Sequence, residues 1–82
     1  ATPSQHAIAS ELAGVAREAM GRLPPHYREV LRMAREHGVP LREVAERMGR
    51  SYEATKKLYA RAMARFTREF ETRRGESNDG GI

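Results

Sequence analysis

The chain has 82 residues, room for one small domain, and no cysteine, so neither a disulfide nor a thiolate metal site can reinforce a core worth only a few kcal/mol beyond the entropy of folding. No apolar run approaches the roughly 20 residues that span a bilayer, and no basic-then-apolar start marks a secretory signal, so a protein in the cytoplasm, off the membrane, is expected. A net charge of +4 and a pI near 10.1 favour a polyanionic partner.

The chain starts at Ala1 without a methionine, which reads as a processed end or a piece of a longer protein. Residues 1–4 are polar and aperiodic and are expected to be a disordered end or linker remnant. A first helix is predicted over 5–22, where Ile8, Leu12, Val15, Ala16, Ala19 and Leu23 recur at three- and four-residue steps and form one apolar stripe. Leu23-Pro24-Pro25 ends it, because Pro24 drives Leu23 out of helical geometry while Pro25 suits the first turn of the next helix. That second helix is expected over 25–37, with Tyr27, Val30, Leu31 and Ala34 inward and Gly38 as a left-handed stop. Met33 falls off this stripe, so it either packs on the first helix or belongs to an exposed partner surface.

Pro40 opens a short third helix over 40–48, with Leu41, Val44, Ala45 and Met48 inward and Arg42, Glu43, Glu46 and Arg47 outward. Gly49 ends it, and Ser51 is the natural N-cap of a fourth helix over 52–73. On a helical wheel Thr55, Tyr59, Ala62, Phe66 and Phe70 share one side, and Glu53, Lys57, Ala60, Ala64 and Arg68 lie opposite. Residues 75–82 lack periodicity and are expected to be a disordered tail, which leaves a domain over 5–74. No strand-like alternation occurs, so the fold class is all-α: a four-helix domain ending in a helix-turn-helix.

Charge is not spread evenly. Residues 50–74 hold eight Lys/Arg against three Glu, whereas the first 49 residues are nearly balanced. A helix with its N-terminal end presented and basic residues behind it can enter a major groove. The rival explanations are a solvated charged face, and a helix pair of the kind common in proteins that never touch DNA.

The segments LPPHYREVLRM (23–33), Gly38, LREVAERMGRS (41–51) and ATKKLYARAMARF (54–66) together resemble region four of sigma-70-type RNA polymerase sigma factors, particularly the extracytoplasmic-function group. The alignment needs no gap from Leu23 to Phe66. The resemblance implies a winged-helix-like bundle without a wing, whose last two helices dock the minus 35 promoter element. It further implies a DNA-binding domain for transcription initiation, and an enzyme is not expected. By resemblance, Lys56, Lys57 and Arg61 are the base and phosphate contacts, with Ala60 on the same face. Ser51, Tyr52 and Glu53 sit at a helix N-terminus that favours phosphate, and Arg42 touches the other side of the groove. The implied partners are double-stranded promoter DNA and the β-subunit flap of RNA polymerase. An anti-sigma factor is a regulator the resemblance allows, and a monomer is expected. Leu58 departs from the usual arginine and reads as a packing residue, Ala60 replaces a larger side chain, and Pro40 replaces a capping serine.

His6, His26 and His37 lack metal-ligand spacing, so neither metal nor cofactor is expected. Met20, Met33, Met48 and Met63 read as gap-filling core residues. The nearest alternative is the output domain of a response regulator, which would act as a dimer on paired half-sites. A second is a helical protein-interaction module that only looks basic.

Overall fold

The first helix, α1 (Pro3–Gly21), starts on a proline whose missing N–H costs nothing in a first turn. The computed structural model describes residues 3–79, with side chains described for 8–75, so part of each expected disordered end and the His6 side chain lie outside the described residues. The last turn of α1 tightens, with Arg22 and Leu23 N–H groups donating to Ala19 and Met20 carbonyls at 3.1 Å. Arg28 reaches back and donates to the Leu23 carbonyl at 3.0 Å and the Gly21 carbonyl at 3.5 Å. A cation there satisfies carbonyls that have no helical partner and opposes the negative end of the helix dipole.

Helix α2 (Pro25–Leu31) begins after Pro24, whose carbonyl accepts the Tyr27 and Arg28 N–H groups at 3.0 and 3.1 Å. The expected single helix over 25–37 does not stay regular. From Arg32 to Glu36 it widens into a π turn, closed by His37 N–H donating to the Arg32 carbonyl at 3.0 Å. Val39 N–H then donates to the Met33 carbonyl at 2.8 Å across Gly38, which is left-handed at φ 67°. The wider turn shifts the phase of the residues after Leu31, and this accounts for Met33: out of register with a regular stripe, it nevertheless packs on the core.

Helix α3 (Leu41–Met48) follows Pro40, which precedes the helix instead of opening it; its carbonyl accepts the Glu43 and Val44 N–H groups at 2.9 Å. Helix α4 (Tyr52–Asp79) is the longest element and runs past the expected end at 73, through Gly75. Intrahelical bonding carries it, since a glycine in a helix costs only about 1 kcal/mol relative to alanine.

Helices α1, α2 and α3 all pack against α4. The core joins Leu23, Val30, Leu31, Val44, Leu58 and Ala62, with all four methionines partly buried around it. Leu58 is buried, as its packing assignment requires. Val15 and Ala19 anchor α1, but Ile8 and Leu12, expected on the same stripe, are 55% and 38% exposed. Ile8 and Leu12 are not covered by the described residues, so the amphipathic period persists in the sequence beyond the part of the helix that is packed. On α4, Thr55 and Ala62 are buried, while Tyr59, Phe66 and Phe70 are half-buried.

Candidate nucleic-acid interface

The α3–α4 corner is built by local chemistry. Gly49 is left-handed at φ 67°, its N–H donates to the Glu46 carbonyl at 3.2 Å, and Arg50 N–H donates to the Ala45 carbonyl at 2.9 Å. This bond pair is a Schellman motif, which satisfies the last carbonyls of α3 while reversing the chain. One residue on, the Ser51 hydroxyl accepts the Ala54 N–H at 3.1 Å, so the expected cap is in place. The Ser51 carbonyl accepts both the Thr55 N–H at 3.0 Å and the Thr55 hydroxyl at 2.8 Å. Thr55 is fully buried, so this doubled bond locks the first turn of α4 to the packed interior.

Of the residues singled out in the sequence, Arg42, Ser51, Glu53, Lys56, Lys57, Ala60 and Arg61 are exposed and Tyr52 is half-buried. Apart from the Ser51 cap they fall into two groups, because the adjacent cations Lys56 and Lys57 diverge by about 100° around the axis. The first group faces α3. The Arg42 guanidinium carbon lies 4.2 Å from the Tyr52 ring centroid, and Lys56 Nζ lies 4.8 Å from the same centroid. Glu53 Oε1 pairs with Lys56 Nζ at 3.0 Å. The second group comprises Lys57, Ala60 and Arg61, one turn of the outward side of α4, and neither of its cations forms an ion pair among the described residues.

Two charged residues nearby were not singled out. Arg50 is exposed within the turn itself, and Arg47 pairs with Glu43 along the outer side of α3. The signal for Arg50 was present in its place between the helix stop and the Ser51 cap. No sequence signal separates Arg47, with its carboxylate four residues earlier, from an ordinary solvated pair.

Across α4 from Lys57 and Arg61 lies a different surface. Met20, Leu31, Met63 and Phe66 line an open cleft of about 820 Å³, rimmed by Arg17, Arg28, Arg32 and Arg35. Among the described residues no helix is long and apolar enough to cross a membrane, and no group of His, Cys, Asp or Glu side chains is arranged to hold a metal ion.

Compared with known proteins, the chain matches the family model described as sigma-70, region 4, over residues 14–66. No curated protein and no solved structure matches it significantly.

Proposed function

The chain belongs to the sigma-70 region 4 family, a DNA-binding family that serves sigma factors in promoter recognition, and from that premise we propose that α3 and α4 dock the minus 35 element with α4 in the major groove. The observation that carries this reading is the exposed basic first half of α4, presented by a corner in which glycine, serine and threonine satisfy the backbone. Lys57 and Arg61 are the outward contacts. Lys and Arg reach guanine O6 and N7 or phosphate oxygens, and a good bidentate contact discriminates by roughly 1–3 kcal/mol. Ala60 between them lets the helix approach closely.

Lys56 and Arg42 approach the groove from the α3 side. At the helix start Ser51 occupies the Ala54 N–H, which leaves the Tyr52 and Glu53 N–H groups to meet a phosphate. The protein is a monomeric reader of one element in an extracytoplasmic-function sigma factor. Its second partner is RNA polymerase, whose β-subunit flap is assigned to the apolar cleft across α4. That side is open while the basic side is on DNA, so both partners can be held at once. An anti-sigma factor that covered the basic side would compete with DNA alone.

The test is a titration of labelled duplex DNA at several salt concentrations. Neutralised phosphates release counterions, so log K should fall linearly with log salt with a slope near −0.9 per phosphate contact. Replacing Lys56 and Arg61 together by alanine should flatten that slope and weaken binding at unchanged helicity, whereas the pair Arg32→Ala and Arg35→Ala on the cleft rim should leave it intact. Equal loss from both pairs would refute a specific docking face.

A further inference from the structure

The geometry points to Tyr52 as a positioning residue that holds Arg42 of α3 and Lys56 of α4 against one ring, so that the two helices present a single basic unit to DNA. This rests on the DNA-docking reading above and assigns Tyr52 a role other than contact with a base or phosphate. Arg42 and Lys56 are 14 positions apart in the chain and on different helices, yet their charged ends lie 4.2 and 4.8 Å from one ring centroid. Both side chains are long and exposed, the condition in which a cation is otherwise spread over many rotamers. A ring fixed at the first helical position of α4, half-buried beside the Ser51 cap, limits those rotamers before DNA arrives. Ordering side chains in advance lowers the cost of binding.

The chemistry of the contact matters as much as its position. A cation over an aromatic face is attracted to the ring quadrupole and spends no N–H donor on it. A guanidinium held in this way keeps its in-plane donors for phosphate or guanine, and the ammonium keeps most of its three. The Glu53 carboxylate acts differently: it uses a Lys56 donor directly, at 3.0 Å. Tyr52 therefore prepares Arg42 and Lys56 without consuming them, and Glu53 holds Lys56 until a phosphate displaces it.

The experiment titrates the full chain against a labelled random-sequence DNA duplex. Tyr52→Phe keeps the ring and should bind within about twofold of the parent, whereas Tyr52→Leu loses two cation–ring contacts and should bind about five- to thirty-fold more weakly. Arg42→Ala should cost less affinity in the Tyr52→Leu background than in the parent, because the two act through one contact. Tyr52→Trp, which preserves the cation contact with a larger ring, should bind at least as tightly as the parent and supplies the comparison if the leucine variant melts early. Parent-like binding by Tyr52→Leu, equal weakening by Tyr52→Phe, weakening by Tyr52→Trp, or additive losses with Arg42→Ala would each overturn the assignment. Absence of salt-dependent duplex binding by the parent would instead overturn the docking reading itself.

Discussion

Thr55 shows how one side chain joins the interface to the core. Its hydroxyl donates to the Ser51 carbonyl at 2.8 Å while the side chain is fully buried, so the residue before the basic pair Lys56-Lys57 is held at both ends. Valine has nearly the same shape, and the carbonyl keeps its main-chain N–H partner. Thr55→Val should therefore cost about 0.5–1.5 kcal/mol, the net value of one hydrogen bond. Thermal unfolding measures this, and an unmoved midpoint would mean that the hydroxyl adds nothing. Glu53 poses the opposite question, because a carboxylate at the start of α4 stabilises the helix but repels phosphate. Its exposed pair with Lys56 is worth about 0.2–1 kcal/mol, so Glu53→Gln should tighten random-sequence duplex binding up to about fivefold while slightly lowering stability. Weaker binding would mean that the carboxylate itself accepts a hydrogen bond from DNA.

At the scale of elements, the same residue type has opposite effects at two places on the helices. Gly49 adopts φ 67°, where a Cβ collides with its own backbone, and Gly49→Ala should destabilise the chain by roughly 1–2 kcal/mol although no neighbouring atom stands in the way. It should also weaken DNA binding, since the angle between α3 and α4 depends on that turn. Gly75 lies within α4 with open space around it, and Gly75→Ala should raise stability by up to about 1 kcal/mol. Circular dichroism and a thermal melt on both variants would check the pair. No gain from Gly75→Ala would mean that α4 ends near residue 73, where its apolar period stops.

Across the whole molecule, the described residues extend 46 × 26 × 15 Å, and the longest dimension follows α4, whose 28 residues rise about 42 Å at 1.5 Å each. The other helices pack along it, and its buried residues Thr55, Leu58 and Ala62 all fall in its first half; the described residues beyond Ala62 are half-buried or exposed. Leu58 is buried in the central cluster, and Leu58→Ala should cost roughly 2–5 kcal/mol, comparable to the whole stability of a core this small. Ile8→Ser should change stability by less than about 0.5 kcal/mol because the residue is already exposed. Urea unfolding would measure both, and a large loss at Ile8 would show that the start of α1 packs more closely than its exposure indicates. Half-buried Phe66 belongs between these two, since its ring also borders the open cleft.

Four helices, the corner at Gly49 and the Ser51 cap were legible in the sequence because each depends on residues within one turn of one another. The sigma-family pattern was legible because its segments follow one another without a gap from Leu23 to Phe66, and the match over residues 14–66 carries it upstream into α1. Three features were not: the π turn at Arg32–Glu36, the exposure of Ile8 and Leu12, and the meeting of Arg42 from α3 with Lys56 of α4 at the Tyr52 ring. Periodicity records which residues share a face of one helix, and it already sets Lys56 and Arg61 about 140° apart. Only the packing of α3 against α4 brings Arg42 to the Tyr52 ring, because a contact between residues distant in sequence depends on where the helices cross. Local chemistry determined the elements and the family; tertiary packing decided which cations act together.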